Sequence, residues 1–206
     1  MNNKKFIVVE GIDGAGKSTI CNYIVKLLNN FNIKNIIKTH EPGGTPIAEK
    51  LRNIIKFSQE EKISYKTELL LIYAARLQLL DNIIRKNVNI NWIISDRYDL
   101  STYAYQIGGR NINKKNILFL QNFIKNNIKP DITIYLDVNP IISLQRINLR
   151  NYDRIEKESI SFFSRVRMYY LKIAKKNKTI KIVNANKNLK DVKLSVKKII
   201  NKLIFV

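Results

Sequence analysis

Cysteine is almost absent. The single thiol, Cys21, excludes an internal disulfide framework and any multi-cysteine zinc site, and a reducing compartment, the cytoplasm, is expected. Proline is nearly as rare, with four in 206 residues, and there is no Ser/Gly/Pro-rich stretch, linker or internal repeat. One domain over residues 1–206 is therefore expected. Long apolar runs are also missing. None approaches the roughly 20 residues needed to cross a bilayer, and Glu10 ends the N-terminal run FIVV too early for a secretory signal. Acids are few: 16 Asp and Glu face 37 Lys and Arg, for a net charge of +21. Such a surplus attracts polyanions, whether nucleic acid, anionic membrane or phosphorylated small molecules. The chain is equally crowded with Ile and Asn, however, and all three residue types have A/T-rich codons. Scattered lysines such as those in NINKKN and AKKNKTIK read as solvated faces, so neither a specific nucleic-acid partner nor a membrane is expected. What is present suits a packed core, with 45% apolar and 26% charged residues.

Short β-branched runs alternate with helical spacing. Strands are expected at Phe6–Val9, Ile33–Thr39, Trp92–Ser95, Ile132–Leu136 and Thr179–Val183. Helices are expected at Ser18–Phe31, Pro46–Phe57, Tyr65–Lys86, Leu100–Ile107, Lys114–Asn127, from Pro140 to about Leu149, Ser159–Lys176 and Leu189–Leu203. The alternation predicts an α/β fold in three layers, a five-stranded parallel sheet flanked by helices. Ligands then sit beyond the carboxyl ends of the strands. The seven glycines fall in three clusters, Gly11/Gly14/Gly16, Gly43/Gly44 and Gly108/Gly109, and the first two follow predicted strands. In a chain this poor in glycine, those positions are expected to need unusual backbone angles or close approach to a ligand.

Gly11-Ile12-Asp13-Gly14-Ala15-Gly16-Lys17-Ser18-Thr19 contains a full G-x-x-x-x-G-K-S phosphate loop between a strand and a helix. Its N–H groups and the helix N-terminus form an anion nest. Lys17 is expected to reach the β- and γ-phosphates of a nucleoside triphosphate, and Ser18 to ligate Mg²⁺. Asp96, closing an apolar strand, resembles an acid that holds the Mg²⁺ shell, with Arg97 pointing into the same crevice. Arg52 follows the rigid turn EPGGTP and offers a planar fork for phosphate, although a surface-helix arginine looks the same. Arg76 is the one formal charge in LLLIYAARLQLL, a segment apolar nearly all round and so expected to be buried. Its guanidinium must be paired or must face a polar ligand, and Ile72 and Tyr73, one turn earlier, share its face. Arg146, Arg150 and Arg154 recur every four residues, so one helical face can carry all three. His40 receives no catalytic role, because phosphoryl transfer needs little base catalysis. These features leave open a nucleic-acid-stimulated ATPase or another small-molecule phosphotransferase.

FIVVEGIDGAGKST, EPGGTPIAEKLR, LLIYAARLQ, ISDRYDLSTYAYQ and DRIEKES together resemble the bacterial thymidylate kinases, from Phe6 to about Leu171. The resemblance implies a sheet of P-loop nucleoside monophosphate kinase type, a homodimer, and transfer of the γ-phosphoryl of MgATP to dTMP. Gly11 to Thr19 then hold ATP, and Asp13 meets the deoxyribose 3′-hydroxyl. Arg52 and Arg97 grip the dTMP phosphate. Arg76 donates to a thymine carbonyl, Thr102 meets the N3 edge and Tyr105 crowds the 2′ position, with Gln106 in the same motif. Ala15 fits the subtype whose lid, here about 143–157, supplies catalytic arginines, with Arg146 and Arg150 as candidates. Two departures stand out: Ile72 occupies the place of a thymine-stacking ring, and the segment between Arg150 and Asp153 is one residue shorter.

Overall fold

The structure, a computed structural model, describes residues 4–58, 60–124, 127–147 and 152–205. Five parallel strands form one sheet in the order β2-β3-β1-β4-β5: β1 Phe6–Glu10, β2 Ile36–His40, β3 Trp92–Asp96, β4 Ile132–Asp137 and β5 Ile180–Asn184. The central strands are buried along nearly their whole length, and the edge strands β2 and β5 only in part. That is why FIVV, WII and ITIYL read as continuous apolar runs. Alternation within β1 divides the core. Ile7 and Val9 join α1 (Lys17–Asn30), α8 (Ile160–Ala174) and α9 (Leu189–Phe205) on one face. Phe6 and Val8 join Leu69, Tyr73, Leu79 and Ile117 on the other. Cys21 and Trp92 lie in the first of these cores.

The remaining helices are α2 Pro46–Phe57, α3 Tyr65–Leu79, α4 Arg85–Asn87, α5 Asp99–Thr102, α6 Lys114–Phe123 and α7 Pro140–Ile147. Two expected helices are not uniform. After α3 the chain widens into a π-helical turn at Leu80–Ile84, and after α5 into another at Tyr103–Gly109. Wide turns of this kind gather at functional sites, and the second carries Tyr105 and Gln106. Gly109 closes it because a Cβ there would lie 2.5 Å from the Phe162 ring of α8. α3 is not buried all round: Leu70 is 57% exposed while Arg76 is 2% exposed. The apolar residues that the helical rule assigned to the core include an outward face. No helix among the described residues is long and apolar enough to cross a membrane.

Candidate active site

The phosphate loop leaves β1 and enters α1 at the carboxyl edge of the sheet. Gly14 and Gly16 hold left-handed backbone angles, φ +77° and +89°. A Cβ on Gly14 would also strike Ser143 and Ile147 of α7, so the loop and α7 touch. The Ser143 hydroxyl donates to the Asp13 carbonyl across that contact. No side chain caps α1, which leaves its N-terminus to an anion. Ile12 and Ala15 bury their side chains in the core, so only their backbone can serve a ligand. The Ile12 carbonyl accepts from Lys17 Nζ at 3.0 Å. Burial, then the nearby Arg97 charge, lower the Lys17 pKa.

At the end of β3, Ser18 Oγ donates to Asp96 Oδ2 at 2.6 Å, which brings the two expected metal ligands together. No cluster of three or more metal-ligating side chains exists among the described residues. One hydroxyl and one carboxylate suit Mg²⁺, which keeps waters and takes oxygens from phosphate. The next residue, Arg97, adopts a left-handed backbone (φ 74°), a strain that places its side chain across the loop. Its guanidinium donates to Gly11 O at 2.9 Å, Asp13 Oδ1 at 2.7 Å and Tyr105 OH at 3.2 Å. Burial alone would raise the Asp13 pKa, but Arg97 and Lys17 hold it well below the ordinary carboxylate range. A carboxyl whose folded pKa is depressed stabilises the fold above its unfolded pKa, about 3.9, and loses that contribution as pH falls. The stability advantage of the native chain over Asp13→Asn is therefore expected at pH 7 and should shrink below about pH 4. Melting temperatures of both proteins at pH 7, 5 and 3 check this.

Two cavities meet at Asp13. One is lined by Gly16, Lys17, Ser18, Thr19, Asp96 and Arg146, the donor side. The other is lined by Ile72, Arg76, Thr102, Tyr105, Gln106 and Ile155. Arg52, Lys56 and Arg97 line both, so three cations stand where the cavities join. Arg52 Nη1 donates to Pro42 O at 2.7 Å. Burial and then the charge of Arg97 lower its pKa.

Arg76 is both paired and cavity-facing. Nε donates to Glu41 Oε2 at 2.8 Å, with Nη2 forming an ion pair to the same oxygen at 2.7 Å; Nη1 donates to Asp99 at 3.3 Å, and Nη2 to Tyr98 O at 3.3 Å and Thr102 Oγ1 at 2.8 Å. Burial pushes Glu41 up to about 7, against the pull of Arg76. The aliphatic wall beside it comprises Ile55, Ile72 and Ile155.

Two expectations change. Tyr73 is 3% exposed and does not line the cavity. Its hydroxyl donates to Ile117 O at 3.3 Å and its ring packs 5.1 Å from the Arg76 guanidinium, because the apolar core claims the ring. Arg154 does not share a helical face with Arg146. α7 ends at Ile147, and Arg154 sits in a turn, donating to Ile55 O and Glu68. Spacing of four carries no face where the helix has stopped. Arg150 lies outside the described residues. His40 bonds Glu49 at 2.7 Å.

Sequence reasoning missed several acids. Glu10 is fully buried and accepts from Tyr98 N, Ser101 N, Ser101 Oγ and Tyr170 OH, so Ser101 and Tyr170 brace the Arg97 turn from beneath. Glu41 and Glu68 are equally hidden. For Glu10 and Glu68 the signal is an acid at the end of an apolar run, which predicts a buried partner.

The family model for Thymidylate kinase matches residues 9–196. The chain belongs to the thymidylate kinase family. A thymidylate kinase of Blochmanniella pennsylvanica (strain BPEN) is 46% identical over 198 residues, 94% of this chain and 93% of its own. That of Legionella pneumophila (strain Paris) is 45% identical over 203 residues, 97% of this chain and 95% of its own. The crystal structure of thymidylate kinase from Ehrlichia chaffeensis superposes with a TM-score of 0.78 at 29% identity, covering 97% of this chain and 99% of that one. The P-loop nucleoside monophosphate kinase fold and the family's activity, ATP-dependent phosphorylation of dTMP to dTDP, follow for this chain.

Proposed function

We propose that the two joined cavities hold ATP and dTMP end to end, and that the cations at their junction carry the reaction. The observation that supports this most is Arg97, which lines both cavities and is fixed to the phosphate loop through Gly11 and Asp13. Two phosphate groups meeting in a dry site repel by several kcal/mol even at an effective dielectric of about 20. Gly11 to Thr19, with Lys17 at their head, take the ATP phosphates. Arg52 and Arg97 take the dTMP phosphate, while Arg76, Thr102, Tyr105 and Gln106 take thymidine against the wall that includes Ile72. Ser18 and Asp96 hold Mg²⁺, which supplies charge neutralisation and alignment of the ATP tail when bound. The acceptor monoester is largely ionised at pH 7, so no side chain need remove a proton. Arg146, exposed over the donor side, and Arg150 are the lid arginines that meet charge developing on the transferred group. Closure of 143–157 over them excludes water and suppresses hydrolysis.

A homodimer is supported by outward apolar side chains: Ile47 and Ile54 on α2, Leu70 on α3, and Phe119 and Phe123 on α6. The proposed compartment is the cytoplasm, without a membrane or specific nucleic-acid partner. ADP release measured with dTMP, UMP, AMP or DNA as the added partner tests the reading. Strong stimulation by dTMP alone is expected. Stimulation by DNA with a steep salt dependence would overturn it.

A further inference from the structure

Glu68, on α3 one turn before Ile72, is 1% exposed and sits among four donors. Its Oε1 accepts from Gln106 Nε2 at 2.7 Å and Arg110 Nε at 3.3 Å. Its Oε2 accepts from Arg110 Nη2 at 3.2 Å and Arg154 Nη2 at 2.6 Å. Four donors saturate an ionised carboxylate. Arg110 cannot swing away: its guanidinium lies 4.7 Å from both the Tyr65 and Phe162 rings, and it also bonds Glu158. Burial alone would raise the Glu68 pKa, yet the Arg110 charge and the bonds from Gln106 and Arg154 lower it.

A carboxylate only accepts, so the amide nitrogen of Gln106, not its oxygen, must face Glu68. That fixes the polarity of the other end. Gln106 Oε1 is buried with no hydrogen-bond partner among the described residues, and Gln106 lines the acceptor cavity. A buried acceptor left unpaired calls for a donor. Thr102 Oγ1, a hydroxyl on the same cavity wall, accepts from Arg76 and keeps its own hydrogen to donate.

We propose that Glu68 is a positioning residue that sets base selectivity by locking the Gln106 amide with its oxygen toward the base. This rests on the reading of the cavity as the dTMP site. A 2,4-dioxopyrimidine, as in thymine or uracil, presents its imide N3–H there. Cytosine presents a lone pair at the same ring position and meets the Gln106 oxygen acceptor to acceptor. In Glu68→Gln the partner amide can donate or accept, so Gln106 is free to reverse.

The test is kcat/KM for dTMP, dUMP and dCMP in the native chain, E68Q and Glu68→Asp. Asp keeps the charge between the arginines but draws back from Gln106. The dTMP-to-dCMP ratio is expected to fall by about 10- to 100-fold in E68Q, and by less in Glu68→Asp. The dTMP-to-dUMP ratio is expected to hold, because both bases carry the imide N–H. A merely structural role would lower all three substrates together. That outcome, or a native dTMP-to-dCMP ratio in whichever variant folds, overturns the proposal. Gln106→Met separates the two readings. If it leaves KM for dTMP unchanged, the cavity is not the base site. If it raises KM while the Glu68 variants keep the native ratio, only the role of Glu68 fails.

Discussion

Arg97→Ala is expected to lower kcat/KM for dTMP by at least about 100-fold, as loss of a positioned charge donor does at other transition states. The guanidinium lines both cavities, so its removal leaves the acceptor phosphate facing the ATP tail without its nearest fork of donors. Lysine does not replace it, because one ammonium cannot reach Gly11 O, Asp13 and a phosphate in the same plane. The change also takes from Asp13 its closest cation, leaving Lys17 at 3.6 Å and the Tyr105 hydroxyl at 3.1 Å. Breaking a largely buried ion pair costs about 3–5 kcal/mol, and a protein that fails to fold would mimic an inactive one. The double variant Arg97→Ala/Asp13→Asn removes the carboxylate charge as well. It is expected to melt closer to the native protein while its activity stays low. Recovery of activity along with stability would show that Arg97 serves the fold and not the reaction.

Lys17→Met is expected to reduce kcat by a comparable factor, at least about 100-fold, with KM for dTMP nearly unchanged. Lys17 lines the donor cavity and not the acceptor cavity, so the two kinetic constants should separate. Its melting temperature should not fall. Burial disfavours the ammonium, and methionine takes the same buried place without a charge to desolvate. Steady-state kinetics and a thermal melt give both numbers. Near-native turnover would remove Lys17 from the chemistry, and a parallel rise in KM for dTMP would blur the division between the cavities.

The layer order was legible because central parallel strands bury both faces and so appear as unbroken apolar runs. The phosphate loop was legible because its glycines survive in a composition that has shed glycine elsewhere, and the structure gives Gly14 and Gly16 the left-handed angles they imply. The two π-helical turns were not. Over a single turn, their wider period leaves the same apolar spacing as an α-helix. Tyr73 and Arg154 were misplaced for related reasons. Spacing states which residues share a face, but not whether that face meets a cavity or the core, nor where the helix stops. The buried acids Glu10, Glu41 and Glu68 were the largest omission. An apolar run can mark an acid as buried but does not name its partner, and only the fold brings Arg76 to Glu41 and Arg110 to Glu68. Ile72 was flagged as a departure, but the neighbours that share its wall, Ile55 and Ile155, come from elements distant in the chain.

The central claim is that donor and acceptor phosphates are neutralised together where the two cavities join. A crystal structure with dTMP and a non-hydrolysable ATP analogue with Mg²⁺ tests it most directly. The account predicts the thymidine monoester on Arg97 and Arg52, the triphosphate along Gly11 to Thr19 with Lys17 at its tail, and the base between Arg76 and Ile72. A monoester bound away from Arg97, or a base outside the Arg76 cavity, would contradict it.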